Sequence, residues 1–353
     1  MHSGSVARIH LNRMKQNLTW LQSRSGTDKV IAVIKANAYG HGDVEVGRYL
    51  EPHVHSFAVA TVGEGVHLRE AGIRCPILVF GPPSSDGSAL MKRYSLTATL
   101  STHDHFDRLL PGMTYQINFD TGMRRAGFSP AEAEDVLEQI RNHQGNRCTG
   151  IYSHFATADD PGSDFVKEQH RRFRTVRALF PAEIPAHMCN TAAVVHYNPE
   201  PFDMIRVGIG LAGYTPGQVQ DDHLKPVLEW ESHVALVRRV LKGEGVSYGN
   251  WWRAPHDGWL ATIPAGYADG VPRALNGKFQ VAIEGRLWPV VGSITMDFCM
   301  VWLGDSVVAE GSTVGLMGGP ESWRADRWAA EAGTITHEIL CRLTERVERV
   351  YSR

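Results

Sequence analysis

Eight short runs of consecutive apolar residues punctuate the first part of this 353-residue chain: Val30–Ile34, Phe57–Ala60, Pro76–Phe80, Leu96–Leu100, Tyr115–Phe119, Cys148–Ser153, Ala186–Cys189 and Met204–Val207. They do not alternate apolar with polar, so they suit strands buried on both faces, as parallel strands between helices are. Stretches of helical spacing lie between them, among them Asp43–Glu51, Glu64–Ala71, Ala131–Asn142 and Phe165–Leu179, several opened by Ser, Asp or Gly. Eight strand-helix units predict a closed (β/α)₈ barrel of the TIM type better than an open sheet.

Catalytic groups in such barrels project from the C-terminal ends of the strands. Those positions hold Lys35, Thr61, Gly81, Ser101, Asp120, His154 and Asn190, with Arg206 inside the last run. Lys35 at the mouth of an apolar strand is desolvated, which favours the neutral amine that a Schiff base needs. Position alone, however, equally describes an ordinary surface lysine that ends a strand.

From about Glu229 the rhythm becomes one of alternating segments broken by Gly and Pro: Ser232–Val240, Trp259–Ile263, Phe279–Ile283, Leu287–Val291, Ile294–Trp302 and Thr313–Met317. This predicts a mainly antiparallel β domain, with a helix over Thr336–Val347 packed on it. Asp221–Lys225 reads as the linker, which puts the barrel in residues 1–225 and the β domain in 226–353. The first residues, roughly ten, are free to pair with the second domain.

A composition of 43% hydrophobic and 21% charged residues with a formal charge of −2 argues against a nucleic-acid or membrane surface. Met1-His2-Ser3-Gly4-Ser5 lacks the basic start of a secretory signal and no run is long enough for a membrane span, so a cytoplasmic protein is expected. The five cysteines are scattered without a Cys-x-x-Cys pair and are expected to be reduced, mostly buried space-fillers. His53/His55 and His103/His105 are close pairs without a carboxylate pattern, which predicts surface loops and no metal site. Gly208-Ile209-Gly210-Leu211-Ala212-Gly213 formally matches a dinucleotide fingerprint, but Pro216 and Gly217 would break the helix that must follow it.

The longer string Val33-Ile34-Lys35-Ala36-Asn37-Ala38-Tyr39-Gly40-His41-Gly42 resembles the cofactor-lysine motif of the alanine racemases. Further matches follow in the same order: Asp120-Thr121-Gly122-Met123-Arg124-Arg125-Ala126-Gly127, Tyr152–Asp159, Arg206-Val207-Gly208-Ile209, Val246-Ser247-Tyr248-Gly249, Ile263–Gly270 and Met296-Asp297. The resemblance implies an isomerase that interconverts L- and D-alanine, supplying D-alanine for cell-wall synthesis, with pyridoxal 5′-phosphate (PLP) held by Lys35. Lys35 would work one face of the substrate α-carbon and Tyr248 the other. A phenol ordinarily titrates near 10, so His154 and Arg206 are the groups that the resemblance implicates in making it a base. Arg206 would face the pyridine nitrogen and leave it uncharged, because arginine stays protonated. Tyr39, His154, Asn190, Thr191, Gly208 and Ile209 would complete the cofactor site, and Arg125, Tyr267, Met296 and Asp297 the substrate site. The family's head-to-tail homodimer, in which one subunit's β domain completes the other's barrel mouth, is also implied.

Some positions depart from the pattern. Asn118 stands where many members carry a carbamylated lysine that orders the residue matching Arg125, and a chloride-like anion or water is the expected substitute. His337 replaces a tyrosine, Ser293 an arginine of the access corridor and Thr191 a serine, which leaves serine credible as a second substrate. A decarboxylase of the same fold type would carry an acidic group at the pyridine nitrogen and a site cysteine; Arg206 and Tyr248 argue against it, with Cys299 the one residue in its favour. A non-catalytic PLP-binding barrel would lack a β domain with a Val-Ser-Tyr-Gly tyrosine, and this chain has both.

Overall fold

The computed structural model describes residues 4–217, 220–319 and 322–353. After β1 (Ser5–His10) and a helix over Leu11–Ser25, eight strands follow: β2 (Val30–Val33), β3 (Ser56–Val59), β4 (Ile77–Val79), β5 (Thr97–Leu100), β6 (Thr114–Asn118), β7 (Arg147–Tyr152), β8 (Ala186–His187) and β9 (Ile205–Val207). All pair in parallel in the order β8-β7-β6-β5-β4-β3-β2-β9, and a parallel bridge from His187 to Met204 closes the ring. Each of the eight apolar runs overlaps one of these strands, with β3, β6 and β7 starting one residue before their runs. Every residue of β2, β3, β4, β5 and β9 is buried, which is why those runs lack alternation.

Helices return the chain between strands, and local side chains set where they start. Thr61 accepts from the N–H of Glu64 while the Glu64 carboxylate accepts from the N–H of Thr61, a reciprocal cap on the helix Val62–Glu70. Ser84 accepts from the N–H of Gly87 at the head of Ser85–Arg93. Phe165–Leu179 forms over its expected span. The segment after Gly208 is a series of turns and not a helix, so it offers no helix N-terminus to a pyrophosphate.

The chain falls into two compact units. One comprises Lys15–Leu211 and Thr215–Leu224; the other comprises the described residues up to Met14, Ala212–Tyr214 and Lys225–Arg353. The second unit is built on β10 (Leu228–His233), β11 (Leu236–Val240), β12 (Gly245–Val246), β13 (Trp252–Arg253), β14 (Gly258–Ile263), β15 (Gln280–Ile283), β16 (Arg286–Val291), β17 (Cys299–Gly304), β18 (Thr313–Met317) and β19 (Glu348–Ser352). Nine strands make one sheet in the order β11-β14-β17-β16-β15-β18-β10-β1-β19, antiparallel except where β1 meets β19. Trp230, Trp328 and Phe279 form its aromatic core, with ring centres 5.8 and 5.1 Å apart.

Three expected spans differ. Ser232–Val240 is two strands, because at Val234 and Ala235 the chain exchanges one partner for another: Val234 N–H reaches Ser312 and Ala235 N–H reaches Thr262. The first residues of Ile294–Trp302 are a turn in which Thr295 and Phe298 bond each other, and the strand starts only at Cys299. The last helix stops at Cys341, since Thr344 is drawn away to the carbonyls of Ala268 and Asp269. His105, expected on a surface loop, is buried and its Nδ1 accepts from the N–H of Ser101. All five cysteines are free thiols; Cys189 and Cys299 are buried, Cys75 and Cys148 half-buried, and Cys341 is exposed. Among the described residues no helix is long and apolar enough to cross a membrane.

Candidate active site

The turn after β2 winds left-handed, with φ of 51°, 54°, 51° and 54° at Ala36, Asn37, Ala38 and Tyr39. This conformation costs a residue with a Cβ about 1–2 kcal/mol. Surrounding groups hold it. The Glu64 carboxylate accepts from the N–H of Ala36 at 2.7 Å as well as from Ala60 at 2.7 Å and Thr61 at 3.0 Å, and Asn37 Oδ1 accepts from Asp43 N–H at 2.8 Å. Lys35 is thereby presented half-buried at the C-terminal mouth of the barrel, its Nζ 6.0 Å from the centre of the Phe80 ring.

Arg206, on the neighbouring strand β9, lies 5.9 Å from the same ring and 5.2 Å from that of Tyr152. It is 4% exposed, yet no carboxylate pairs with it among the described residues. Nη1 donates to His187 Nδ1 at 2.7 Å, and Nη2 to the carbonyl of Ser153 and to His154 Nδ1, both at 2.9 Å. A guanidinium has only donors, so both imidazoles accept through Nδ1, and a neutral ring then carries its proton on Nε2. His187 Nε2 meets Gln116 Oε1 at 2.8 Å, as that tautomer requires. Burial first, then the charge of Arg206, holds both histidines well below their usual range. Burial also pulls Arg206 down to about 10, so it remains a cation near neutral pH.

Beside this network lies a cradle that admits no further carbon. A Cβ on Gly208 would come within 2.3 Å of the Tyr39 hydroxyl, and one on Gly210 within 2.7 Å of the Thr191 methyl. Thr191 Oγ1 accepts long bonds of 3.4 and 3.3 Å from the N–H groups of Gly208 and Gly210. Two glycine N–H groups and two hydroxyls in one place suit a phosphate. Ile209 is buried between the glycines, and Asn190 Oδ1 accepts from Ala193 N–H, which fixes the turn that carries Thr191.

Asp120 Oδ1 accepts from the N–H groups of Gly122 and Arg124 and so shapes the loop that carries Arg125. Arg125 is exposed and makes no hydrogen bond or ion pair among the described residues, but its charge bears on Tyr152, His154 and Arg206. Asn118 donates to the carbonyl of Ala126 at 2.8 Å and supplies Arg125 with no negative charge. Among the described residues no three His, Cys, Asp or Glu side chains gather as metal ligands do.

In the second unit Tyr248 stands out at 73% exposed, on a turn with positive φ at Ser247, Gly249 and Asn250. Ser293, which stands where the resemblance puts a corridor arginine, is buried and anchors that turn. Its hydroxyl donates to the Tyr248 carbonyl at 3.0 Å and accepts from Trp251 Nε1 at 2.9 Å, while Ser247 Oγ donates to its carbonyl at 2.8 Å. Tyr248 and Tyr267 line one cavity of about 450 Å³. Gly266 lets the Tyr267 loop touch Met296, since a Cβ there would lie 2.3 Å from the Met296 carbonyl oxygen. Met296 is exposed, and Asp297 pairs with Arg346 at 2.9 Å. His337 is half-buried in the first turn of the helix Thr336–Cys341.

The barrel therefore brings together Lys35, Tyr39, His154, Thr191, Arg206 and Gly208, and the second unit brings together Tyr248, Tyr267 and Met296. Reading the sequence alone passed over His187, Gln116 and Glu64. The first two were visible as polar residues inside apolar runs; nothing local marked Glu64 as more than a cap.

Two family models cover nearly the whole chain: "Alanine racemase, N-terminal domain" matches residues 9–216 and "Alanine racemase, C-terminal domain" residues 227–351. Alanine racemase 1 of Clostridium acetobutylicum is 36% identical over 98% of this chain and 94% of its own. The alanine racemase of Cutibacterium acnes is 37% identical over 99% and 98%. Among solved structures, the alanine racemase of Clostridium difficile 630 superposes with a TM-score of 0.93 at 32% identity, over 100% of this chain and 96% of the other.

Proposed function

The chain belongs to the alanine racemase family, and on that premise we propose that it interconverts L- and D-alanine by moving the α-proton between two of its own side chains, Lys35 and Tyr248. The observation that carries this reading is a buried arginine that no carboxylate pairs among the described residues, set beside Lys35 over one aromatic ring and next to a two-glycine cradle. Those residues fit PLP: the cradle would take its phosphate, Lys35 would bond its aldehyde carbon and Arg206 would meet its ring nitrogen. When bound, PLP supplies the electron sink that makes an amino acid's α-proton acidic.

The chain's own groups do the rest. Arg206 would donate a hydrogen bond to the ring nitrogen while keeping its own proton, so that nitrogen would stay uncharged, which would limit how far negative charge is drawn off the α-carbon and favour quick reprotonation. His154 is held by Arg206 Nη2 with its other nitrogen protonated, ready to pack on the ring. Lys35 takes or returns a proton on one face and Tyr248 on the opposite face. Arg125 holds the substrate carboxylate by a charge-assisted bond, helped by a bound anion next to Asn118, with Tyr267, Met296 and Asp297 around the substrate.

On this reading residues 1–225 act as the cofactor-binding barrel, apart from β1, which pairs with β10 and β19, and 226–353 act as the domain that supplies the second base. The reading extends to a head-to-tail homodimer in which the β domain of one subunit serves the barrel of the other. In its support, Tyr248 is 73% and Met296 52% exposed, with Trp251 and Phe298 also exposed, an apolar surface suited to burial against a partner.

Purified protein should be yellow, and borohydride should fix the pigment to Lys35. L-Alanine should lose optical rotation and gain α-deuterium in heavy water; Tyr248→Phe should stop the loss of rotation while exchange from one enantiomer persists. A preparation that stays colourless with added PLP, or retains racemase activity as Lys35→Ala, would overturn the proposal.

A further inference from the structure

The N-terminal ends of the barrel strands, on the side away from Lys35, surround a second cavity of about 660 Å³. Its character is set from inside the barrel. Arg206 can only donate, so His187 accepts on Nδ1, carries its proton on Nε2 and gives it to Gln116 Oε1. The Gln116 amide is thereby oriented, and its nitrogen has both N–H groups left. Gln116 is 8% exposed, lines this cavity, and its nitrogen has no acceptor among the described residues. It points past Gly150, where a Cβ would come within 3.2 Å of Gln116 Nε2. The Gln116 nitrogen opens onto the cavity, so its N–H groups are available to an oxyanion held there.

The rim supplies matching charge. Arg74, Lys92 and Arg147 line the cavity, and their side chains enter no ion pair or hydrogen bond among the described residues. A fourth cation, Arg69, is engaged by the backbone carbonyls of Ile73, Cys75, Tyr94 and Ser95, and Glu183 is the one carboxylate in the lining. Three uncommitted cations against one carboxylate favour a multiply charged anion over a monocarboxylate. The volume leaves room for more than the bare ion.

We propose that the barrel floor is a binding site for a phosphate group, free or as a phosphate monoester, with Gln116 as its buried donor, and that its occupancy is transmitted through Gln116 and His187 to Arg206. An anion that polarises the Gln116 amide strengthens Oε1 as an acceptor from His187 Nε2–H. This makes His187 Nδ1 a better acceptor from Arg206 and weakens the guanidinium's donation towards the mouth of the barrel. The binding step stands independently of the cofactor; only the transmitted effect rests on Arg206 facing PLP.

The test is calorimetric titration of the holoenzyme, whose upper cradle is filled by its own cofactor, with inorganic phosphate, with glycerol phosphate and with acetate in parallel. Binding of either phosphate, weak or absent binding of acetate, and about a tenfold loss of phosphate affinity on Arg147→Ala are expected. Gln116→Glu, which keeps the shape but turns the donor into a negative acceptor, should abolish binding while the thermal transition shows a folded protein. Tighter binding of glycerol phosphate would identify a monoester as the natural ligand, and equal binding free phosphate. Absence of phosphate binding, or binding that ignores Arg147→Ala, overturns the site. The cofactor absorbance followed in the same titration should shift as phosphate saturates. A pigmented protein whose spectrum does not respond overturns the transmission, and an unpigmented one that still binds phosphate overturns only the cofactor reading.

Discussion

Arg206 is the residue on which the barrel's chemistry turns, because a buried cation with no acid beside it among the described residues dictates the protonation of the imidazoles it touches. His154 and His187 stay neutral in the folded chain well below the pH at which they would titrate in the unfolded one. The sign follows. As pH falls below about 6.5 the unfolded chain gains protons that the folded chain refuses, so stability is lost with falling pH, at up to about 1.4 kcal/mol per pH unit for each histidine. Denaturant midpoints measured from pH 7 down to pH 5 should fall accordingly, and His187→Gln should flatten the slope. Ser293 is a second residue with influence beyond its size. Ser293→Ala leaves the Tyr248 carbonyl and Trp251 Nε1 without their partner, so it should lower kcat severalfold through a misplaced Tyr248 while KM for alanine changes little. Steady-state kinetics with both enantiomers would measure it; an unchanged kcat would return Ser293 to a packing role. Neither effect could be foreseen from sequence, since a serine in an arginine's place says nothing of burial.

At the scale of elements, the barrel strands were legible because burial on both faces, complete in β2, β3, β4, β5 and β9, writes a short apolar run without alternation, and eight such runs separated by helical spacing point to a barrel. The β domain was legible in kind and less so in detail. Alternation announces a strand but not where it changes partners, so Ser232–Val240 read as one element when it is two. The strands β1 and β19 and the helix Leu11–Ser25 lie where no contrast with their neighbours marks them. The lysine turn is the opposite case, a motif recognisable in sequence whose left-handed winding no local rule suggests. Glu64 ties that turn to β3, and Glu64→Gln exchanges an acceptor-only carboxylate for an amide with just one acceptor atom. A loss of about 1–3 kcal/mol is expected in chemical denaturation, with weakened cofactor retention on dialysis.

For the whole molecule, the candidate site is split by sequence distance: Lys35 lies on the barrel and Tyr248 on the β unit. Sequence order could not assign the two proposed bases to one chain or to two. Mixed dimers can. If sites are shared between subunits, refolding Lys35→Ala together with Tyr248→Phe gives hybrids with one intact site and one carrying both lesions, and random pairing should restore about a quarter of wild-type activity. If each chain serves itself, every site carries a lesion and no activity returns.

The four consecutive left-handed residues after Lys35 set a timetable. An unstructured chain has no reason to adopt them, and the groups that hold them come from the β3 and helix segments that follow. On the proposed reading, the Lys35 amine would be placed to meet the aldehyde only after those segments have docked. A newly made chain would finish its scaffold first and acquire its pigment last.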